Sequence, residues 1–400
     1  MKFNSYILKR RIEDLLMLPL IGIGRLAALL KPLPRQYRIY FFFSFYHIGG
    51  AEKVHAQVAN ATGGNDCIIF FTRKSSNDLL RQVFVDSGCV IKDISRFTDN
   101  RWLYPLNIIF RGILSGYINR QSIPTSVFNG QCNIGYKISP WISSKVLQVE
   151  LIHSLNTFSY IRIPFLPFIN RTVMISTNRI GDHMELSRRK GIPESFNDRV
   201  RYISNAIDVP AVLPAKQREE LVVLYAGRGG TEKRLHLVTR IAEEVNRQNA
   251  LIRFEIMGDV SNILDPSSNP SIRFYGNVSD PALISKIYQR ASILLLTSET
   301  EGFPMVIIEA MAHGGVIMST PVGDIPRHVT MPANGLLFST VKEEDQIVRE
   351  ATAFVIELAG DRDRLEKISA TNRAYALASF DLPAFKEAYN RILQPENPSL

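Results

Sequence analysis

Cysteine is scarce in this 400-residue chain: Cys67, Cys89 and Cys132 form no CxxC pair and no even set, so a disulfide framework has nothing to build on. Cys67 and Cys89 lie in the apolar runs DCIIFF and GCVI, which reads as buried thiols in a reducing compartment. No uncharged apolar run reaches the roughly 20 residues that a membrane-spanning helix requires. No G-x-G-x-x-G follows the first strand-like runs, which argues against a dinucleotide dehydrogenase. No basic stripe interleaved with aromatics is present, so nucleic acid is not an expected partner. Repeats and low-complexity tracts are missing as well.

What is there describes a large globular chain. Apolar residues make up 46% and charged residues 21%, ordinary values for a protein with a sizeable core. Four hundred residues exceed one core, and two domains are expected. The net charge of +9 is unevenly placed: residues 1–38 hold eight basic side chains against Glu13 and Asp14, a local excess of +6. Among them lie LLMLPLIGIG and LAALL. Residues 1–36 therefore read either as an apolar, basic segment on the anionic inner face of the cytoplasmic membrane or as a terminal helix packed on its own domain. A cleaved signal peptide fits less well, because Glu13 and Asp14 interrupt the basic entry.

Short β-branched or aromatic runs alternate with helical patterns in both halves, the mark of parallel βαβ units. The first half offers YRIYFFF, CIIFF, TSVF, KVLQVEL and TVMIS; the second offers LVVLYAG, IRFEIMG, ASILLLT and GVIMST. The boundary is expected in SNAIDVPAVLPAKQREE, residues 204–220. This gives a first doubly wound domain over 37–210, a second over 211–380, and a C-terminal helix in 381–400 that packs back toward the first domain, with Asp381 as cap and Pro383 in the first turn. Two such domains joined by a hinge imply an interdomain cleft.

The stretch SETEGFPMVIIEAMAHGG, residues 298–315, places two glutamates in apolar surroundings, where unpartnered carboxylates are costly. It follows the strand run SILLLTS, and a helix is expected from Pro304, which suits a first helical turn. TEGFP is then a strand-to-helix loop at the carboxyl edge of a sheet, with the helix dipole over Gly302, Phe303, Pro304, Met305 and Val306, and the free amides of all of these but Pro304, facing any phosphate. Eight residues of helix rise about 12 Å, more than the roughly 5–9.5 Å between the carboxyl pair of a glycosidase. Glu301 and Glu309 more plausibly grip two parts of one extended ligand, or else are a capping and a surface glutamate.

At this point the residues resemble a known family. ETEGFPMVIIEAMAHGGVIMSTPVGDIPRHV is similar to the E-x7-E region of retaining GT-B glycosyltransferases of the family 4 type, the glycosyl transferases group 1. GGAEKV at 49–54, ISNAIDVP at 203–210, YAGRGGTEKR at 225–234, FYGNVSDPALISKIYQRAS at 274–292 and NGLLF at 334–338 follow the family's order. The resemblance implies two Rossmann-like domains facing a cleft, and transfer of a hexose-type sugar from a nucleotide-diphosphate donor to a glycan or lipid-linked acceptor. It implies roles as well. Arg228 and Lys233 would hold the diphosphate, Glu309 the donor ribose, and Glu301 the hydroxyls of the transferred sugar. Backbone around Gly302–Met305 would grip phosphate and sugar, Gly276 and Val278 would meet the base, and Gly49 and Gly50 would face donor phosphates and acceptor. His153 would stand next to the transferred sugar.

Each of these has an ordinary structural alternative, from solvated loop cations to a capped turn or a hydrogen-bonded histidine. Ala206, where the family often has glycine, and Asp324 and Arg327, in place of the usual GGxPE, depart from the pattern and leave the donor sugar open. No cofactor or metal is expected: the DRD at 361–363 reads as a helix cap, and the cationic pair would supply the electrostatics. A catalytically silent nucleotide-sugar-binding subunit and a sugar-nucleotide epimerase of like architecture are the competing readings. A cytoplasmic chain, peripheral at the inner membrane face, is the expected setting.

Overall fold

Each half of the chain is organised by one parallel sheet whose inner strands are largely buried and mainly apolar. The structure is a computed structural model describing residues 2–153, 160–210 and 220–395. It divides into two units, the described residues up to Ser204 with those from Pro383, and Asn205–Leu382. Of the segment expected to carry the boundary, residues 211–219 lie outside the described residues, as do residues 396–400 of the C-terminal segment.

The first unit contains β1 (Ile39–Phe43), β2 (Cys67–Phe71), β3 (Val90–Asp93), β4 (Ser126–Asn129), β5 (Leu147–Ile152), β6 (Arg171–Met174) and β7 (Val200–Tyr202). They pair in parallel in the order β3-β2-β1-β4-β5-β6-β7. The second contains β8 (Val222–Ala226), β9 (Arg253–Met257), β10 (Ile272–Gly276), β11 (Ile293–Leu296), β12 (Val316–Ser319) and β13 (Gly335–Leu337), in the order β10-β9-β8-β11-β12-β13. Every residue of β1, β2, β4, β8, β11 and β12 is buried, as a parallel sheet covered on both faces requires. Both sheets reverse direction of winding once, between β1 and β4 and between β8 and β11, and ligands of such sheets bind outside the carboxyl ends at those points.

The sequence reading misses β3, β7, β10 and β13. These are the four edge strands, short and half exposed, with charged Lys92, Asp93, Arg201 and Arg273 in them. Edge strands carry such residues because an apolar edge invites pairing with other chains, and in β3, β7 and β10 the charges erase the pattern that marks a strand; β13, with no charge, is too short at three residues to show one.

Two terminal helices complete the first unit. The helix Leu382–Leu393 sets Tyr389 against Phe128, with ring centroids 6.1 Å apart. Ser126 Oγ donates to the Leu393 carbonyl at 2.5 Å and Arg171 to the Ile392 carbonyl at 2.7 Å. The N-terminal helix Phe3–Leu30 turns Phe3, Ile7, Arg10, Asp14, Met17, Ile21, Gly24 and Ala28 inward, alternating steps of four and three residues, the spacing of a helix–helix seam; its first turns, through Phe3 and Ile7, pack on Ile163, Leu166, Ile192 and Phe196, and the rest packs along the helix Tyr104–Asn119. Gly24 and Gly112 meet backbone to backbone there, and a Cβ on either would strike the facing helix. Arg10 pairs with Asp14 at 2.5 Å within this seam.

Candidate functional site

The loops after β8 and β11 are tied into one surface at the reversal point of the second sheet. After β8 the chain runs through Gly227–Gly230 and a tight turn Thr231–Lys233 before the helix Leu235–Gln248. After β11 it runs through Thr297–Pro304 before the helix Met305–Ala312, one residue later than expected, with extended Pro304 as the capping position. Thr297 Oγ1 donates to the Lys233 carbonyl at 2.9 Å, Arg234 Nε to the Thr297 carbonyl at 2.8 Å, and the Glu299 amide to the Glu232 carbonyl at 2.8 Å. A third loop locks the floor. Gly323 has φ +58° and lies so close to the Glu301 and Gly302 carbonyls that no Cβ fits, while the Asp324 amide donates to Gly302 O at 2.8 Å.

On this frame Lys233 Nζ stands 2.7 Å from Glu301 Oε1, and both side chains are largely buried. Ser298 Oγ donates to the same carboxylate oxygen at 2.7 Å. Two residues 68 apart in sequence are thus joined in one charge-assisted contact. Arg228 behaves differently from Lys233: its guanidinium pairs with Glu232 at 2.9 Å and is 77% exposed. The expected cationic pair is therefore one buried lysine and one solvated arginine.

Glu309, half-buried on the Met305–Ala312 helix, accepts a hydrogen bond from Tyr288 Oη at 2.5 Å. Burial and the neighbouring carboxylate push the Tyr288 phenol well up, so it stays a donor. His313 stacks on the Tyr288 ring and reaches Ser285 Oγ at 3.1 Å. Phe303 and Met305 are buried, and the Phe303 ring stacks on His328 at 4.1 Å, which leaves their backbone as the part available to a ligand. Gly276, in the left-handed region at φ +65°, ends the edge strand β10, two strands from β8, and half-buried Val278 follows it. Asp361 caps the helix Arg362–Ser379 by accepting from the Arg364 amide.

In the first unit, Gly49 and Gly50 follow β1 and open the helix Gly50–Thr62. A Cβ on Gly49 would run into the Glu52 carboxylate, whereas one on Gly50 would meet open space. His153 follows β5, and its Nε2 lies 2.9 Å from Nε2 of His55 on that same helix. His55 in turn stacks on Phe43 at 4.6 Å, and Gly130 leaves room for it. Because His55 Nδ1 is buried without a partner, the fewest unpaired protons result when His55 Nε2–H donates to His153 Nε2. Sequence reasoning missed His55, Ser298 and Tyr288. The available signal was a polar ring on an otherwise apolar helix face, but the partner is set by tertiary structure.

Burial lowers the pKa of His153 to about 4, and that of His55 well below its usual value, the latter with the neighbouring His153 adding to the effect. The unfolded chain, with histidines near 6.5, then binds more protons than the folded one below that pH. Stability of the first unit is expected to be complete above about pH 6.5 and to fall as pH drops toward 4. Melting curves from pH 7.5 to 5 check this, and His55→Phe, which keeps a ring on Phe43, should flatten the dependence. An unchanged slope in that variant would remove the pair as its source.

Two parallel α/β units of this topology define the GT-B fold. Over 89% of the present chain and 99% of its own, the Anabaena protein Alr3699/HepE, solved in complex with UDP-glucose, has the same fold at TM-score 0.70 and 15% identity. Residues 213–371 match the family Glycosyl transferases group 1, and the second unit carries a domain of that family. The chain is 27% identical over 190 residues to the sulfoquinovosyl transferase SQD2 of Arabidopsis thaliana, a match covering 46% of this chain and 35% of that one. It is 26% identical over 174 residues to the lipopolysaccharide 1,6-galactosyltransferase of Salmonella typhimurium, covering 39% of this chain and 48% of that one. The matches thus span about a third to a half of the length of these curated relatives.

Proposed function

We propose that this chain is a retaining glycosyltransferase that moves a sugar from a nucleotide-diphosphate donor to a hydroxyl of a glycan or lipid-linked acceptor. The observation that carries the reading is the buried Lys233–Glu301 contact at the reversal point of the sheet, within a stretch matched to the Glycosyl transferases group 1 family. A breaking glycosidic bond sends negative charge onto the diphosphate, and a buried cation there stabilises that charge far more than one in water. Lys233 takes this role, with exposed Arg228 adding a weaker contribution. Glu301 holds hydroxyls of the transferred sugar, and Glu309, with one oxygen engaged by Tyr288, accepts from the ribose. Gly302, Phe303, Pro304 and Met305 offer backbone to phosphate and sugar; Gly276 and Val278 offer it to the base.

From the first unit, Gly49 and Gly50 serve the donor phosphates and acceptor, and His153 the transferred sugar. Attack is on the same face as departure: the acceptor oxygen bonds to the anomeric carbon, the bond to phosphate breaks, and the departing phosphate takes the acceptor's proton. The UDP-glucose bound by the Anabaena protein supports a nucleotide sugar as donor. The lipopolysaccharide named for the Salmonella relative supports a surface polysaccharide or glycolipid as acceptor. Residues 1–36 would bring the enzyme to the inner face of the cytoplasmic membrane, where such acceptors are assembled. No described helix is long and apolar enough to cross a membrane.

Screening nucleotide sugars for thermal stabilisation, followed by product analysis, tests the proposal. One donor should raise the melting temperature, since a ligand at about 100 times its Kd adds roughly 2.7 kcal/mol to the native state. That donor should then be consumed slowly without acceptor and rapidly with one, giving product of unchanged anomeric configuration. Stabilisation with neither hydrolysis nor transfer would leave a binding scaffold, and isomerisation of the donor without acceptor would leave an epimerase.

A further inference from the structure

The N-terminal helix is apolar on two opposite faces. One is the seam against the helix Tyr104–Asn119. Half a turn away, Leu8, Ile12, Leu15, Ile23, Leu26 and Leu30 recur in steps of three and four through Pro19, and all six are between 53% and 78% exposed. They form a ridge about 33 Å long at 1.5 Å of rise per residue. Single exposed leucines need no explanation, but a continuous apolar ridge of this length marks a contact surface. Lys9 and Arg11 on the same helix and Lys2 and Lys31 at its ends are exposed, while Arg25 is turned to the Trp141 carbonyl at 2.8 Å; against these four stands the single exposed carboxylate Glu13, 3.8 Å from Lys9, because Asp14 is engaged by Arg10 in the seam.

The geometry points to this outer face as an in-plane membrane contact, in which the helix lies flat at the boundary of headgroups and acyl chains of an anionic leaflet. The ridge faces the hydrocarbon, and the four cations meet lipid phosphates and carboxylates. The helix cannot stand upright in the bilayer. Its other face is committed along its length to the first unit, first to the segment Ile163–Phe168 and then to the helix Tyr104–Asn119, and that face holds the Arg10–Asp14 pair and meets buried Arg111 through Met17. A second copy of the chain fits the ridge less well than lipid does. Pairing ridge to ridge would bring each set of four cations against its twin, a repulsion that an anionic leaflet turns into attraction. This deepens the proposed membrane-bound acceptor and rests on that reading for its purpose, while lipid binding itself is measured without any transfer.

The test is flotation of the full chain with phosphatidylcholine vesicles, with and without phosphatidylglycerol. The wild type should float with the mixed vesicles and much less with phosphatidylcholine alone. Leu15→Glu/Leu26→Glu should weaken binding at least about tenfold, since it puts two charges where hydrocarbon contact is required. Lys9→Gln/Arg11→Gln should weaken it only on the anionic vesicles, by roughly fivefold per removed cation. Unchanged melting curves would show that the exposed substitutions leave the fold intact. Two results would overturn the inference: the leucine variant floating like wild type, or a soluble dimer that this variant splits while neither protein binds vesicles. The leucine variant should still transfer sugar to a short water-soluble acceptor. Vesicle binding by a wild type that transfers nothing from any nucleotide sugar would sink the transferase reading and leave the membrane contact standing.

Discussion

Lys233→Ala and Glu301→Ala are each expected to lower kcat/KM by about 10²–10³-fold with the cognate donor, the loss seen when one preorganised electrostatic contact is removed from an enclosed site. Lys233 and Glu301 are bonded at 2.7 Å and largely shielded, so neither charge is diluted by solvent. Removing the lysine also takes the positive charge away from Glu301 while Ser298 Oγ stays on the same carboxylate oxygen, and a shielded carboxylate that has lost its counter-charge disfavours a diphosphate nearby. The two substitutions share one interaction, so the double variant should be little worse than the more damaging single one. Arg228→Ala supplies the contrast. Its guanidinium is 77% exposed and already paired with Glu232, and exposed ion pairs contribute about 1 kcal/mol or less, so a loss below roughly tenfold is expected. Steady-state kinetics on the three variants decide the matter. Turnover by Lys233→Ala or Glu301→Ala within a factor of two of wild type would show that this ion pair is merely structural.

The contrast between Lys233 and Arg228 also marks how far the sequence alone carries. Both cations lie in one short loop, YAGRGGTEKR, and nothing in the letters separates them. Their difference arises because Arg234, at φ +50°, turns the chain so that Lys233 points toward the loop after β11 while Arg228 remains at the rim beside Glu232. The same limit governs the strands. All nine interior strands were legible, since strands covered on both faces keep enough apolar residues to outweigh single polar ones such as Glu150 and Glu255; the four edge strands were not, because charge interrupts β3, β7 and β10, and β13 is only three residues long.

Glu301 and Glu309 stand out in the sequence because carboxylates in such apolar surroundings are costly without partners, and they read there as ligand contacts; Tyr288 and Ser298, which the fold sets against them, were not legible. His153 was legible at a strand end, yet His55, 98 residues earlier, was not, as a hydrogen bond across two βα units leaves no local pattern. In the N-terminal helix the composition announced an apolar, basic segment. The seam that engages Gly24 and Ala28 and turns the leucines outward required the facing glycines Gly112 and Gly116 to be seen.

The largest effect on stability is expected from a buried charge pair that has no part in the proposed transfer. Glu150 on β5 and Arg162 are both fully buried. Arg162 Nε donates to Glu150 Oε2 at 3.0 Å, and a second guanidinium nitrogen donates to Oε1. Thr172 Oγ1 at 2.7 Å and Tyr136 Oη at 2.9 Å complete the donors to the carboxylate. Burial alone would raise the Glu150 pKa, but the Arg162 charge and these hydrogen bonds carry it below its usual value.

Arg162→Ala strands that carboxylate without its counter-charge, and breaking a buried pair from one side costs about 3–5 kcal/mol. Glu150→Leu/Arg162→Met, which removes both charges and keeps the volume, should be far milder than either single change, because the desolvation cost of two ions disappears with their attraction. Trp102 and Trp141, the two tryptophans of the chain, both belong to the first unit, and Trp141 is buried, so tryptophan fluorescence in a urea titration reports unfolding of this unit alone. Since the folded pKa of Glu150 is depressed, its contribution is complete above about pH 4.5 and fades as pH falls below that. The penalty of Arg162→Ala should therefore be greatest near neutrality and shrink in acid. A penalty under about 1 kcal/mol at neutral pH would mean that the carboxylate is held by Thr172 and Tyr136 rather than by the guanidinium.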